Sequence, residues 1–223
     1  MNPVTVLAQK PGATAIGPDD VHAWLVDLDT WPESRMVLAA GERNRSASYL
    51  RPQDGARFAA SRAAVRVILS GYLGCEPGRL RLAAASHRLP FSLSRSGEIA
   101  LIAVSRDPVG ADLEQVRPRP GLADLVTARF AATDAACVAA GCAGSSTRSF
   151  YRHWVAKEAY LKATGRGLAV LREAELECGQ PPVIRFRGTP EPGWNVSLAE
   201  PVPGYMAAIV AARPVTTWRR IAG

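Results

Sequence analysis

Two segments carry the strongest structural signals in this chain: V-G-A-D-L-E at residues 109–114 and F-Y-R-H-W-V-A-K-E-A-Y-L-K-A-T-G-R-G-L at residues 150–168. The first alternates apolar with small or acidic residues, which is the period-two pattern of a strand with one buried face. In the second, Phe150 to Ala163 is predicted to form a helix that stops at Gly165 and Gly167. Together they predict a fold that contains both strands and long helices.

The rest of the chain predicts further elements of both kinds. A second strong helix begins after Asp54, and Gly71 and Gly74 mark its end. Its apolar residues recur at helical spacing: Phe58, Val65, Ile68, Leu69 and Tyr72. We expect strands at 21–26, 80–82, 99–105, 183–186, 194–198 and 205–212, and helices at 32–45 and 122–140.

A weak internal similarity suggests two related halves. The segment G-E-I-A-L-I-A-V at 97–104 resembles G-Y-M-A-A-I-V-A at 204–211, and each follows a long predicted helix. Two α+β halves of similar size would explain this repetition. We place the boundary between residues 106 and 107, which gives an N-terminal half at 1–106 and a C-terminal half at 107–223.

Composition indicates a soluble globular protein. Hydrophobic residues make up 48% of the 223 residues and charged residues 21%, which suits a packed core rather than a disordered chain. No apolar run approaches the length of a membrane span, and the N-terminal residues lack the pattern of a secretory signal. We therefore expect a cytoplasmic protein with no membrane partner.

The formal net charge of +7 would attract anionic partners. The basic residues are spread along the chain, and aromatic residues account for only 7%, which does not favour a nucleic-acid-binding surface.

The four cysteines do not form a recognisable metal motif. Cys75, Cys137, Cys142 and Cys178 include no C-x-x-C pair, and the three histidines show no metal-ligand spacing. Free, reduced thiols are the favoured interpretation, and a zinc site is not predicted from these spacings.

Asp112 and Glu114 form the first group of residues that could carry chemistry. Residues two apart on a strand share a face, so both carboxylates should project together. Adjacent carboxylates repel each other unless a cation joins them, and Mg²⁺ binds one or two carboxylates together with phosphate oxygens and water. The alternative, an acidic surface strand without a ligand, is common for a bare D-x-E.

Glu158 and Lys162 form the second group. They are four residues apart on the predicted helix and therefore lie on one face. The glutamate could add a third metal ligand or accept a proton, and the lysine could hold a phosphate or protonate a leaving group. The alternative is an ordinary charged helix surface.

The order of three segments resembles the signature of Sfp-like 4′-phosphopantetheinyl transferases. These segments are F-S-L-S-R-S-G at 91–97, then V-G-A-D-L-E, then W-V-A-K-E-A-Y-L-K at 154–162 before a glycine-rich turn. The family pattern is F-x-x-S-H-S, then G-x-D-x-E, then W-x-x-K-E-A/S-x-x-K. The resemblance extends over about residues 43–168 and includes Arg57, Phe58 and Arg62 in the first long helix.

This resemblance implies an α+β fold of two similar halves related by a pseudo-twofold axis. Each half would be a small, mostly antiparallel sheet packed with a long helix, and the active site would lie at their interface. It also implies transfer of phosphopantetheine from coenzyme A to a serine of an acyl or peptidyl carrier protein, with Mg²⁺ as cofactor and adenosine 3′,5′-bisphosphate as the second product. A monomer is implied by the two-in-one architecture.

The resemblance also assigns roles to residues. Asp112, Glu114 and Glu158 would be the Mg²⁺ ligands, and Glu158 and Lys162 the catalytic residues, as base and as phosphate partner. Coenzyme A would contact residues from both halves: Arg45, Arg57, Arg88, Ser94, Arg95, Asp112, Lys157, Glu158 and Lys162. For each arginine the alternative is a plain surface residue.

Two departures from the family pattern affect the expected contacts with coenzyme A. Arg95 stands where the family has histidine, and H-R-L-P at 87–90 replaces the usual G-K/R-P. Arginine still donates hydrogen bonds to phosphate and remains charged, but it is longer than histidine. Neither change touches the inferred metal ligands.

The stretch from Val116 to Phe130 is the expected contact surface for the carrier protein. It carries Arg117, Arg119 and Arg129, which would attract an acidic partner. A solvated loop is the alternative.

Several other functions remain open at this point. They are a catalytically impaired homologue that only binds coenzyme A or carrier protein, another Mg²⁺-dependent phosphotransfer enzyme, and a basic nucleic-acid-binding protein. The chain has no G-x-x-x-x-G-K-[ST] loop for a P-loop enzyme. Polyketide or nonribosomal peptide biosynthesis is the expected setting by analogy alone.

Overall fold

The computed structural model describes residues 6–8, 15–31, 37–83 and 88–221. The strands are β1 (Val6–Ala8), β2 (Val21–Asp27), β3 (Phe91–Ser96), β4 (Ile99–Ser105), β5 (Val109–Gln115), β6 (Ala174–Glu177), β7 (Val183–Phe186), β8 (Thr189–Pro190), β9 (Asn195–Ala199), β10 (Tyr205–Ala211) and β11 (Thr217–Ile221). The helices are α1 (Ala40–Ala47), α2 (Pro52–Leu73), α3 (Leu122–Arg129), α4 (Ala132–Ala139) and α5 (Ser146–Thr164).

The first sheet has five strands in the order β1–β11–β2–β4–β3. β3 and β4 form a hairpin that turns at Gly97, whose φ of 58° is readily adopted by glycine. β2 pairs antiparallel with β4 and parallel with β11. Helix α2 covers one face, where Ile68 and Leu69 share a buried cluster with Trp24 and Ile102. Because both long strands are almost entirely apolar, they can be buried on both faces.

The second sheet has the order β5–β10–β9 and is antiparallel throughout. Helix α5 packs on one of its faces, and Phe150 and Tyr160 of the helix share a buried cluster with Met206 and Ala208 of β10. The helix begins at an N-cap, Ser145, whose side chain accepts a hydrogen bond from the Arg148 N–H. It ends at Gly165, which takes the left-handed conformation.

The two sheets meet through a shared apolar layer. Its members come from β2, β4, β5 and β10 and include Leu25, Leu101, Leu113, Ala207 and Ile209. These residues alternate with those that face α2 or α5, so each sheet contacts its helix on one face and the other sheet on the opposite face. The small side chains of Ala23, Ala103, Ala111 and Ala207 allow a close approach.

A third, small sheet adds to the second half. Strands β6, β7 and β8 follow one another antiparallel, and Leu176 and Ile184 join the cluster beneath α5. Helices α3 and α4 precede α5 and contribute Val126 and Val138 to the same cluster. α5 is therefore packed between the second sheet and this additional layer.

The α+β fold class is confirmed, with small sheets and long helices. The chain does not divide simply into two sequential halves, because β11 lies near the C-terminus but pairs with β1 and β2 in the first sheet. This sheet is mixed, since both pairings of β11 are parallel. The boundary between residues 106 and 107 stays a prediction.

The predicted strand at 80–82 is wrong. A short 3₁₀ turn at Pro77–Arg79 precedes it, and Leu80 is buried against α2. The Arg66 guanidinium donates to the Leu80 carbonyl at 2.6 Å and to the Pro77 carbonyl at 3.3 Å, so a side chain satisfies carbonyls that a sheet would otherwise pair.

Other boundaries also differ from the expectations. The helix predicted at 32–45 is observed as α1, and residues 32–36 lie outside the described residues. Five strands were not predicted: β1, β3, β6, β8 and β11. Among the described helices, none combines the length and apolar character needed to cross a membrane.

Candidate active site

Asp112 lies at the centre of a polar cluster between the two halves. β5 positions its side chain, which is almost completely buried. Its Oδ1 accepts a hydrogen bond from Ser94 Oγ of β3 at 2.8 Å and another from Lys162 Nζ of α5 at 2.6 Å. Lys162 also donates to the Ala111 carbonyl at 3.1 Å. Three elements therefore hold this one carboxylate in place.

The second oxygen of Asp112 is different. Oδ2 is buried and has no hydrogen-bond partner among the described residues. Burial raises the pKa of this carboxyl, while Lys162 and Ser94 act in the opposite direction. A buried carboxylate oxygen without a partner is costly in an apolar environment, so this atom is suited to a ligand such as a cation.

Glu114 extends the acidic face of β5. Its Oε2 accepts from Ser96 Oγ at 2.8 Å, and the same hydroxyl accepts the Gln115 N–H at 3.1 Å. Burial raises the pKa of the Glu114 carboxyl, and the Asp112 charge adds to this rise. Asp112 and Glu114 share one face of the strand, as their spacing predicted.

Glu158 approaches the same cluster from α5. Its carboxylate lies 3.7 Å from Lys162 Nζ, and its side chain is only 13% exposed. Burial raises its pKa to about 7, with the Asp112 charge as the next cause, and Lys162 opposes the shift. The carboxyl can therefore exchange a proton near neutral pH.

The donor set fits a hard divalent cation. Asp112, Glu114 and Glu158 supply carboxylate oxygens, which Mg²⁺ prefers, and burial raises the pKa of each. For Glu114 and Glu158, repulsion from neighbouring carboxylates adds to the rise. Together with the unpartnered Asp112 Oδ2, these carboxylates give the site an excess of negative charge that a cation could balance. Lys162 supplies one positive charge for three acidic groups.

The predicted coenzyme A contacts of the first half fall into two groups. Arg95 donates to Tyr49 Oη at 2.9 Å, and the guanidinium groups of Arg45 and Arg95 lie 5.4 and 5.8 Å from the centre of the Tyr49 ring. Arg45 and Tyr49 also line a surface cavity of about 320 Å³. These two arginines and this ring form a cationic surface that could hold phosphate groups.

Arg57 and Arg88 are placed differently. Arg57 makes a bidentate ion pair with Asp29, at 2.7 and 2.5 Å, so its charge is already shared. Arg88 is exposed. Among the described residues, neither of these arginines pairs with Tyr49 or with the carboxylates of the cluster.

Lys157 does not fit its predicted role in binding coenzyme A. Its side chain is fully buried, where its ammonium pairs with Asp134 at 2.6 Å and lies 4.2 Å from the centre of the Phe130 ring. Neighbouring helix residues point about 100° apart, so Lys157 cannot share the face of Glu158. Lys157 instead holds α5 against α4 and does not reach the carboxylate cluster.

The segment from Val116 to Phe130 has an exposed and an anchored part. Arg117, Arg119 and Arg129 are exposed, and Arg117 donates to the Gln115 side chain. Val126 and Phe130 are buried in the cluster around α5. The buried residues thus hold the segment in place while its arginine side chains extend into solvent.

Ser92 and Ser96 were missed by the sequence reasoning. The Ser92 hydroxyl accepts the Ala111 N–H at 2.9 Å, and Ser96 binds both the backbone and the carboxylate of β5. With Ser94 they join the first half to the second. The alternation F-S-L-S-R-S was the available signal, because it places three hydroxyls on one strand face.

Comparisons with known proteins agree with this arrangement. A family profile described as the 4′-phosphopantetheinyl transferase superfamily matches residues 108–210. The 4′-phosphopantetheinyl transferase HetI of Nostoc sp. is 33% identical over 226 residues, which cover 93% of this chain and 94% of HetI. The transferase Sfp of Bacillus subtilis is 23% identical over 189 residues, covering 79% of this chain and 83% of Sfp. AcpT of Salmonella typhimurium is 35% identical over 136 residues, covering 58% of this chain and 70% of AcpT.

The fold and the matched segment define an enzyme that transfers a phosphate-linked group. The chain belongs to the 4′-phosphopantetheinyl transferase superfamily, on the evidence of the profile and of a relative that matches nearly its whole length. The carboxylate residues on β5 and α5 lie inside the matched segment.

Proposed function

We propose that this enzyme transfers 4′-phosphopantetheine from coenzyme A to a serine hydroxyl of an acyl or peptidyl carrier protein, in a Mg²⁺-dependent reaction that releases adenosine 3′,5′-bisphosphate. The observation that supports this most is the cluster of Asp112, Glu114, Glu158 and Lys162, in which Asp112 Oδ2 is buried without a partner. Family membership supports the general reaction.

Asp112, Glu114 and Glu158 would hold the Mg²⁺ ion. When bound, the ion would neutralise negative charge on the pyrophosphate of coenzyme A. Ser94 and Ser96 orient two of these carboxylates through their hydroxyl groups, so the ligands are held before any cation binds.

Glu158 is the proposed base. Its carboxylate can accept a proton from a hydroxyl group placed beside it. Before any cation binds, burial raises its pKa to about 7. It would take the proton of the carrier serine while the serine oxygen forms a bond to the β-phosphorus of coenzyme A. The bond from that phosphorus to the bridging oxygen breaks, and the electron pair leaves with adenosine 3′,5′-bisphosphate.

Lys162 is the proposed partner of the phosphates. Its side chain is 31% exposed and its ammonium already faces the carboxylate cluster, so it can donate to phosphate oxygens beside that cluster. Charge that develops on the leaving oxygen would be stabilised by this donor. Arg45, Arg95 and Tyr49 are proposed to bind a further phosphate or the adenine portion of coenzyme A.

The exposed arginines of the segment from Val116 to Phe130 are proposed to contact the carrier protein. Arg117, Arg119 and Arg129 would attract an acidic surface and increase the rate of association. We further propose that the enzyme acts as a cytoplasmic monomer and serves polyketide or nonribosomal peptide biosynthesis.

The test is intact mass spectrometry of an apo carrier protein incubated with this enzyme, coenzyme A and Mg²⁺. The expected result is a mass gain of one phosphopantetheine group per carrier, absent without Mg²⁺ and lost with Glu158→Ala. Glu76→Ala, an exposed glutamate outside the cluster, is the matched control and should leave the rate unchanged.

Two outcomes would contradict the proposal in different ways. Binding of coenzyme A without a mass gain on several carrier types would indicate a homologue that only binds. Transfer that persists in Glu158→Ala at the rate of the parent protein would remove Glu158 from the mechanism.

A further inference from the structure

A second group of potential metal ligands lies on the other side of α5 from Glu158. Cys137 of α4, His153 of α5 and Cys178, the residue after β6, place one ligand atom each within 4.8 Å of the others. The two sulfur atoms are 3.9 Å apart, and Cys178 Sγ lies 3.6 Å from His153 Nε2. These residues come from three separate elements, so the tertiary fold creates the cluster.

The distances match those of a tetrahedral zinc ion. Zn–S bonds of about 2.3 Å and Zn–N bonds of about 2.0 Å put neighbouring ligand atoms about 3.8 Å apart for two sulfurs, and about 3.5 Å apart for sulfur and nitrogen. The observed separations, 3.9 and 3.6 Å, agree with both values, and the third pair, Cys137 Sγ and the His153 ring nitrogen, lies within 4.8 Å. Little rearrangement would be needed for all three atoms to bind one ion.

The histidine is oriented as a metal ligand would be. Its Nδ1 lies 2.7 Å from the Ser149 carbonyl, which can only accept, so Nδ1 carries the proton and Nε2 keeps its lone pair. Nε2 is the atom that faces Cys178. A backbone carbonyl that fixes the tautomer in this way is the usual outer partner of a metal-bound histidine. Burial lowers the pKa of His153, which favours the neutral ring.

The surroundings provide an entry path and an open coordination position. Cys178 is exposed, Cys137 is partly buried and His153 is fully buried, so the group opens to solvent on the side of Cys178. A surface cavity of about 410 Å³, lined by residues that include Cys137, Cys178 and Glu175, lies over it. Three protein ligands with water in the fourth position is the arrangement of an open zinc site.

We propose that Cys137, His153 and Cys178 bind a zinc ion, with water as the fourth ligand. Two thiolates and a neutral imidazole balance the charge of the ion, and the two thiol protons are released on binding. This site is separate from the proposed Mg²⁺ site in both place and ligand chemistry, because sulfur and imidazole favour zinc whereas carboxylates favour magnesium. It also joins α4, α5 and β6, so the ion would brace the helix that carries Glu158.

The test uses the full chain, reduced with a non-chelating phosphine, stripped of metal and then titrated with ZnCl₂ or CoCl₂. We expect one equivalent of zinc by native mass spectrometry, and a thiolate-to-cobalt charge-transfer band in the Co²⁺ form. Cys178→Ser, an exposed and conservative change, should abolish the band and lower zinc affinity by more than about 100-fold, since even outer partners contribute about 10–100-fold.

Matched variants test whether zinc binds at this cluster and not elsewhere on the protein. Cys75→Ser, at an exposed cysteine outside the cluster, should bind zinc as the parent protein does. Glu158→Gln should retain the cobalt–thiolate band, because it alters only the carboxylate cluster. Circular dichroism and thermal unfolding of each variant would verify that it is folded.

Three results would overturn the inference. The first is a parent protein that gives no cobalt–thiolate band. The second is a band of full intensity in Cys178→Ser. The third is a Cys137–Cys178 disulfide that forms at equal rates with and without zinc, since a bound ion must protect both thiolates.

Discussion

At the scale of single residues, Lys162 is the cation that lets three acidic side chains share one place. It donates to Asp112 at 2.6 Å and lies 3.7 Å from Glu158. One ammonium cannot neutralise three carboxylates, and the pKa values of Asp112, Glu114 and Glu158 are all raised. The cluster therefore holds protons that the same groups would lose in the unfolded chain.

This protonation predicts how stability depends on pH when no divalent cation is bound. The pKa of Glu158 rises from 4.5 to about 7 on folding, so the native state binds more protons than the unfolded state between these values. The free energy of unfolding should therefore fall as the pH rises through this range. Urea denaturation in EDTA at a series of pH values would measure this dependence of the unfolding free energy on pH.

A matched pair of variants isolates the contribution of Glu158. Glu158→Gln should flatten the pH dependence and make the metal-free protein more stable at pH 7, while Glu76→Gln should leave the dependence as it is. An unchanged slope in Glu158→Gln would mean that Glu158 is ionised throughout and that the raised pKa is wrong.

The sequence predicted this cluster better than its surroundings. Two-residue spacing on β5 and four-residue spacing on α5 are local rules, and the structure places Asp112, Glu158 and Lys162 together. Lys157 was assigned to the same site by resemblance, although its neighbour Glu158 points in a different direction around the helix. Cys137, His153 and Cys178 come together only through tertiary packing, so their spacing carried no signal.

At the scale of elements, the contact between β5 and α5 sets the distance between the carboxylates. A Cβ atom at Gly110 would lie 1.8 Å from the Ala159 carbonyl oxygen and 2.5 Å from the Ala163 nitrogen. The helix backbone therefore rests directly on the strand at this glycine. Ala159 follows Glu158 in the chain, so any shift of the helix here moves the proposed base away from Asp112.

Gly110→Ala tests this contact. The added methyl group must push α5 away from β5, and we expect a loss of about 1–3 kcal/mol in unfolding free energy, as for other overpacked cores. Transfer activity should fall more than stability alone explains, because Glu158 and Lys162 are displaced from Asp112. Denaturant unfolding and the mass-spectrometric transfer assay would measure the two effects.

Gly41→Ala is the control for this change. A Cβ atom at Gly41 would have no neighbour within 4 Å, and the residue lies inside α1. Alanine there should stabilise the helix by up to about 1 kcal/mol. A Gly110→Ala protein with the stability and activity of the parent would show that β5 and α5 are not in backbone contact.

Elements with a clear period were predicted well, and elements that depend on distant partners were not. Continuous apolar runs located β2, β4 and β10 within a few residues, and apolar alternation located β5. The apolar residues Leu80 and Leu82 suggested a strand, but Arg66 binds the Leu80 carbonyl and no strand forms there. A segment forms a strand only when the unpaired edge of a sheet lies beside it, and local sequence carries no information about that edge.

At the scale of the whole molecule, the two halves are joined by one apolar layer, by the serine hydrogen bonds between β3 and β5, and by one strand. β11 lies between β1 and β2 in the first sheet, although it belongs to the C-terminal half of the chain. The internal similarity between the halves predicted two related units. It did not predict this strand, because T-W-R-R-I is short and mixed in character.

Arg219→Pro tests the role of β11. Proline removes a backbone donor from a strand that has neighbours on both sides, and we expect a loss of about 1–3 kcal/mol in unfolding free energy from the unpaired group. Arg219→Ala is the matched control, since it removes the side chain over Trp24 but keeps every backbone donor. Equal unfolding free energies for the two variants would show that the pairing of β11 contributes little.

The position of β11 also has a consequence for the newly made chain. During translation, β2 emerges long before the strand that pairs with it, and hydrogen-bonded partners at Val21 and Thr216 are 195 residues apart. Until the ribosome reaches β11, one edge of β2 has open backbone donors and acceptors, and such an edge can pair with other chains. Nascent chains stalled before residue 217 should therefore be the forms that recruit chaperones or aggregate.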